Sequence, residues 1–253
     1  MTAHRPLTGW RVLVPRGGRW GDQVAALLRA EGAGPVIAPL INFAPSDDPV
    51  GLGRALRSLQ DGQFEWLVVT SATTVDVLVS QQVVVPESTR IAAVGETTAA
   101  ALTLAGYRTD FVPQRDNSAR GLVTEWPHSD IRGRVLIPQS DLAEPTLVAG
   151  LSRVGFRVEW VTAYRTVGVP VDPDVRAEVA DGRIGAMLVT SGSVARQIAA
   201  QFAPLREEAV VICIGPRTAF DTRAAGLAVT GIADERSAAG MVAALVECVE
   251  DGA

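Results

Sequence analysis

The chain repeats itself. Arg134-Val-Leu-Ile-Pro138 re-reads Arg11-Val-Leu-Val-Pro15, with the start moved 123 residues from position 11 to 134. Leu188-Val-Thr-Ser191 re-reads Val68-Val-Thr-Ser71, and Ile214-Gly-Pro-Arg-Thr-Ala219 re-reads Val94-Gly-Glu-Thr-Thr-Ala99, each 120 residues on. Ala225-Gly226 falls on Ala105-Gly106 at the same spacing. A period this long within 253 residues means two copies of one α/β unit rather than a many-membered solenoid. Two copies favour two ordinary domains over one large one. Two similar lobes usually leave a cleft, the place to look for a site.

Short apolar runs alternate with helical patterns in both copies. In the first, Val12–Val14 precedes Asp22–Ala30, Trp66–Val69 precedes Thr74–Leu78, and Ile91–Val94 precedes Thr97–Ala105. The second echoes them with Val135–Ile137, Thr146–Val154, Ala186–Val189, Val194–Ala200, Val210–Ile214 and Thr218–Ala225. Such alternation predicts parallel sheets covered on both faces. Gly32, Gly106, Gly155 and Gly226 stand where helices should stop. Two stretches break the pattern at matching places, Asn42–Pro49 and Thr166–Pro173, so each copy is divided internally. That is odd for simple tandem domains, and the pairing of the pieces is not readable from the repeat alone.

Composition narrows the chemistry. All 23 Lys+Arg positions are arginine, which excludes Schiff-base lysines, lysine bases and the P-loop lysine. A net charge of −5 and the lack of a dense basic run argue against nucleic acid. No apolar run approaches the roughly 20 residues of a membrane span, and the start lacks a signal-peptide core, so a cytoplasmic protein is expected. The only histidines, His4 and His128, are too sparse for a metal site or a triad. Cys213, inside Ala209-Val-Val-Ile-Cys-Ile214, reads as a small core residue. Arginine does suit two-pronged capture of carboxylates.

Four loops share one design: a buried strand ends, a small or hydroxylic cluster follows, and a helix begins. They are Thr70-Ser71-Ala72-Thr73, Gly95-Glu96-Thr97-Thr98, Thr190-Ser191-Gly192-Ser193 and Gly215-Pro216-Arg217-Thr218. Open α/β sheets bind ligands at such carboxyl-terminal strand ends, where free N–H groups favour anions. The same residues also fit plain helix caps. Arg16-Gly-Gly-Arg-Trp-Gly21 is glycine-rich but lacks the spacing of a dinucleotide loop; Arg16 either meets a carboxylate or is solvated. Tyr164, one of two tyrosines, stands where the chain enters a connector, either to pack it or to act.

Taken together, Thr70-Ser71, Ala93-Val-Gly95 with Thr97-Thr98-Ala99, Gly106, Ala163-Tyr-Arg-Thr166, Thr190-Ser191 and Ile214-Gly-Pro-x-Thr-Ala219 resemble the uroporphyrinogen-III synthase family. Each is weak alone; their order covers the chain from Arg11 to about Ala244. The resemblance implies two similar parallel-sheet α/β lobes joined by a two-stranded hinge. One lobe is discontinuous (1–43 plus 167–253), the other spans 47–163, and 44–46 and 164–166 are connectors. It further implies a cofactor-free, metal-free enzyme that closes hydroxymethylbilane, a linear tetrapyrrole with eight carboxylates, and inverts ring D with loss of water. Tyr164 is then the candidate donor to the departing hydroxyl. The substrate-binding candidates are Arg16, Thr70, Ser71, Gly95, Thr97, Gln139, Ser140, Thr190, Ser191, Gly192, Gly215, Arg217 and Thr218. The partner expected is the preceding hydroxymethylbilane synthase. Arg217 and the loop after Arg16 depart from the family's usual residues, which keeps a second reading in view: an inactive tetrapyrrole-binding or regulatory module. A two-lobe sugar- or nucleotide-transferase fits the fold pattern but has no matching motif.

Overall fold

A computed structural model describes residues 5–127 and 133–252; both histidines lie outside them. In chain order the first elements are β1 (Arg11–Val14), α1 (Gly18–Ala30), β2 (Gly34–Ile37), β3 (Ile41–Pro45) and α2 (Pro49–Gln60). Next come β4 (Trp66–Val69), α3 (Ala72–Ser80), β5 (Arg90–Ala93), α4 (Glu96–Leu104) and α5 (Ala119–Thr124). Then follow β6 (Arg134–Ser140), α6 (Thr146–Arg153), β7 (Arg157–Gly168), α7 (Pro173–Ala180) and β8 (Ala186–Val189). The chain closes with α8 (Gly192–Phe202), β9 (Val210–Cys213), α9 (Pro216–Ala224), β10 (Gly231–Ile232) and α10 (Ala238–Asp251).

These elements gather into two units. Unit 1 takes the chain up to Asn42 and again from Val167; unit 2 takes Phe43–Thr166. Unit 1 holds a sheet in the order β2-β1-β8-β9-β10, and the other sheet runs β3-β7-β6-β4-β5. Phe111 adds a parallel bridge to Ala92 at the β5 edge, at the place β10 occupies beside β9. β4, β8 and β9 are buried at every residue, which is why they read as unbroken apolar runs. Alternate side chains feed two cores. Val12 and Val14 enter one face of the unit 1 sheet, and Leu13 the other. Leu67 and Val69 oppose Trp66 and Val68 in unit 2.

The order of the strands explains why each copy is divided internally. β1 and β2 of the first copy pair with β8–β10 of the second, and β6 and β7 of the second pair with β4 and β5 of the first. The copies have exchanged their opening βαβ. Registers match across the exchange: Arg11 stands opposite Gly34 as Arg134 stands opposite Arg157, and Val12 opposite Ala186 as Val135 opposite Trp66. Gly106 and Gly226, at φ +84 in both, end α4 and α9 alike; only glycine adopts that conformation freely.

One expectation needs revision. Residues 44–46 and 164–166, read as connectors, lie largely within or against strands. β3 runs to Pro45 and β7 continues unbroken to Gly168. The two strands are neighbours in the sheet, so their backbone groups pair where an open linker would leave them to water.

Candidate active site

Within each unit the strands of the repeated core run parallel, so their carboxyl ends form one rim. On the unit 2 rim, Thr70 and Ser71 follow β4, Gly95 and Thr97 follow β5, Gln139 and Ser140 end β6, and Tyr164 stands opposite Ser140 on β7. On the unit 1 rim, Arg16 follows β1, Thr190, Ser191 and Gly192 follow β8, and Gly215, Arg217 and Thr218 follow β9.

A β-bulge aims the tyrosine. Gln139 stands opposite Thr162, but Ser140 stands opposite Tyr164, so β7 carries one extra residue at Ala163. The Tyr164 ring is 8% exposed and meets Phe43 edge-on, with centroids 5.3 Å apart and planes at 82°. Its hydroxyl lies 3.0 Å from Ser71 Oγ, which is 3.1 Å from Thr74 Oγ1; Thr74 in turn donates to the Pro138 carbonyl at 3.4 Å. A continuous chain from Tyr164 to the Pro138 carbonyl thus holds the phenol in place. Reversing the first link, with Ser71 donating to Tyr164, leaves the phenolic proton free to point outward. The β6–β7 corner is pinned separately. Ser140 Oγ donates to Asp141 Oδ1 at 2.9 Å, the same carboxylate accepts Thr166 N–H at 2.9 Å, and Asp141 N–H reaches the Tyr164 carbonyl at 3.1 Å.

The four hydroxylic loops divide into two kinds. Ser71 and Ser191 are helix caps, accepting Thr74 N–H at 3.1 Å and Val194 N–H at 3.3 Å. Gly95 and Gly215 occupy the same place on α4 and α9 with no side-chain cap. Ser191 Oγ also lies 2.9 Å from Ser193 Oγ. Replacing Ser191 by alanine should therefore cost about 1 kcal/mol of stability from the cap alone, read as a lower urea midpoint. A variant of unchanged stability would show that α8 needs no cap.

Other assignments shift on inspection. Thr218 is 8% exposed, and its matching residue on unit 2 is the buried Thr98, at 5%, rather than the exposed Thr97. Gln139 is buried. Gly192 lies close to Asp221, since a Cβ there would fall 2.6 Å from Asp221 Oδ2. Arg217 bonds the same Asp221 at 3.2 Å, one helical turn on. Arg16 is exposed, with its guanidinium 5.4 Å above the Trp20 ring. Cys213 is a core residue: burial pushes its thiol up, and Sγ bonds Thr222 Oγ1 at 3.4 Å.

A further pair of rim loops escaped the sequence reading. Loop 112–118 follows the Phe111 bridge and loop 233–237 follows β10; each ends in a capping serine, Ser118 to Gly121 N–H at 3.1 Å and Ser237 to Gly240 N–H at 3.0 Å. The signal was faint because the strands before them are only one or two residues long. The first loop wraps Glu125, whose carboxylate accepts N–H groups of Gln114 at 2.9 Å and of Arg115 and Asp116 at 3.2 Å. Those donors, Gln114 foremost, hold its pKa below the ordinary glutamate value. Among the described residues no group of three or more His, Cys, Asp or Glu is placed to hold a metal ion, and no helix is long and apolar enough to cross a membrane.

Two largely parallel sheets with an exchanged βαβ, each ending in a rim of hydroxyls and glycine-led helices, place the chain among two-unit α/β proteins. The family model for uroporphyrinogen-III synthase HemD matches residues 22–243, and the chain belongs to that family. A porphyrin biosynthesis protein HemD of Ruminiclostridium josui is 25% identical over 226 residues, 85% of this chain. The chain spans 44% of that relative's length. A mutant uroporphyrinogen III synthase from Thermus thermophilus superposes with a TM-score of 0.67 at 18% identity, covering 96% of this chain and 99% of that one. The uroporphyrinogen-III synthetase of Helicobacter pylori gives 0.65 at 15% identity, covering 94% and 98%. At those identities the solved structures speak to the fold.

Proposed function

We propose that this protein is an active uroporphyrinogen-III synthase, a hydro-lyase of the cytoplasm that takes hydroxymethylbilane from the enzyme that makes it. The observation that carries the reading is the Tyr164–Ser71 hydroxyl pair, 3.0 Å apart, on the strand-end rim of a chain in this family. In the reaction the terminal hydroxymethyl C–O bond breaks and the hydroxyl leaves as water, its extra proton supplied through Tyr164. The azafulvenium cation left behind is stabilised by its own pyrrole nitrogen. The substituted α-carbon of ring D attacks it, giving a spiro intermediate. That intermediate breaks its bond to the ring C methylene, and ring D recloses through its other α-carbon. Loss of one proton restores the pyrrole and re-protonates the phenolate, so the balance is hydroxymethylbilane to uroporphyrinogen III plus water.

The protein's share of this work is chiefly geometric, because spontaneous closure already occurs and gives the uninverted type I isomer. The candidates to take up the substrate's carboxylates are Thr70, Ser71, Gly95, Thr97, Gln139 and Ser140 in unit 2, and Arg16, Thr190, Ser191, Gly192, Gly215, Arg217 and Thr218 in unit 1. Uncapped N–H groups at Gly95 and Gly215 suit carboxylate oxygens. Freshly generated hydroxymethylbilane, given to the protein with no metal or nucleotide added and analysed after oxidation, should yield mainly the type III isomer. Type I product at the spontaneous rate, from protein shown to be folded, would overturn the reading.

A further inference from the structure

The two rims are copies, so the positions where they differ separate their duties. Three matched positions carry a neutral polar residue in unit 2 and an arginine in unit 1. Gln139, one residue past the repeated Pro138, answers to Arg16 past Pro15, and Thr97, two residues past Gly95, answers to Arg217 past Gly215. Asn117, the residue before the capping Ser118, answers to Arg236 before the capping Ser237. The third match is confirmed by contact. A Cβ on Gly95 would fall 3.1 Å from Asn117 Cβ, and one on Gly215 would fall 3.2 Å from Arg236 Nε. Glycine at 215 therefore lets a guanidinium lie against the first turn of α9, a helix with no side-chain cap.

Two of the three arginines have no carboxylate partner among the described residues, although Arg16 stacks on Trp20. Arg16 and Arg236 are exposed and form no ion pair among the described residues, whereas Arg217 is paired with Asp221. Of the arginines that unit 2 carries near its rim, Arg115 lies 3.7 Å from Glu125 and Arg165 donates to the Pro45 carbonyl at 3.1 Å, which leaves Arg120, in the first turn of α5, exposed and without an ion pair among the described residues. The acids beside Arg236 do not distinguish the rims to the same degree, since Glu235 answers to Asp116 and only Asp234 is new.

We propose that Arg236, together with Arg16, makes the unit 1 rim a carboxylate-gripping surface for the tetrapyrrole. This rests on the synthase reading and adds a residue to it. A bidentate guanidinium–carboxylate contact beside free N–H groups is strong, and it answers to the number of carboxylates on the ligand rather than to the reacting carbon. Arg236 contributes to binding alone.

The test uses uroporphyrin III, a fluorescent octacarboxylate, as a binding probe beside the turnover assay. Arg236→Gln and Arg16→Gln should each raise KM about tenfold, the size expected for one charge-assisted contact, and leave kcat within about twofold. The double variant should bind uroporphyrin III about 100-fold more weakly, with a shallower salt dependence, and should discriminate less against coproporphyrin, which has four carboxylates. Arg115→Gln, which removes a paired arginine, should change neither affinity nor salt dependence. Unchanged affinity and salt slope in the folded double variant would overturn the proposal even if the wild type makes type III product. Salt-dependent binding lost in the double variant, from a wild type that makes only type I, would sustain the gripping rim and overturn the synthase reading. A wild type that neither binds the probe nor turns over would overturn both.

Discussion

Tyr164→Phe will lower turnover about 10²-fold, the lower end for a positioned proton donor, while leaving the protein folded. The substitution deletes one oxygen and keeps the ring, so the edge-on contact with Phe43 survives. Ser71 is not orphaned, because its Oγ keeps both Thr74 N–H and Thr74 Oγ1. The stability cost should therefore stay near that of one hydrogen bond, about 1 kcal/mol. Residual turnover will persist, since the azafulvenium cation also forms unaided, and its product should remain enriched in type III because the rims still orient ring D. Turnover near wild type in a folded Phe variant would reduce Tyr164 to a packing residue of β7.

The largest effect on stability is expected at the opposite end of unit 2. Phe64, 2% exposed, belongs to the core that also includes Leu59, Leu67 and Leu136, and the Arg134 guanidinium covers its ring at 4.5 Å. Phe64→Ala removes a whole buried ring and should cost about 3–5 kcal/mol. The carbonyl of residue 64, which accepts Thr89 Oγ1 at 2.7 Å, is untouched, so the backbone has no new unsatisfied group. Urea titration should show the midpoint falling steeply, with kcat per folded molecule unchanged because no rim residue moves. A loss under about 1 kcal/mol would mean that the core closes over the cavity.

What the residues disclosed follows from where their signal is local. Three buried strands in each copy, the helices that follow them and the glycine stops at 106 and 226 all rest on short-range patterning, and they lie where that patterning put them. Which βαβ joins which sheet is not local: β1 pairs with β8, Val12 against Ala186, and nothing in either segment specifies the other over the equally apolar β4. The bulge at Ala163 was hidden for a similar reason, since register depends on the partner strand. Among the site residues, hydroxyls beside a strand end were readable as a pair of alternatives, cap or contact, and Ser71 proves to be a cap that also touches Tyr164. Arg236 was invisible because the two-residue β10 before it leaves almost no pattern.

The exchanged βαβ has a consequence for how the chain is made. As synthesis proceeds, β1, α1 and β2 emerge first, yet Val12 must wait for Ala186, 174 positions later, before its sheet can close. Unit 2 is complete once Thr166 has emerged, so the segment born in the middle finishes ahead of the one born first. Until β8 has emerged, Val12, Leu13 and Val14, all fully buried in the finished protein, lack their neighbour on one side. Completion of unit 2 shortens that wait. With β3 beside β7, its two ends become a staple that brings Asn42 and Val167 together, and the loop to be closed shrinks to the flanking segments. The saving in closure entropy is only about 1 kcal/mol, since the cost grows by about 0.6 kcal/mol per doubling. Its main effect is on timing: β1 and β2 meet their partner strands at close range instead of searching through a long unfolded chain.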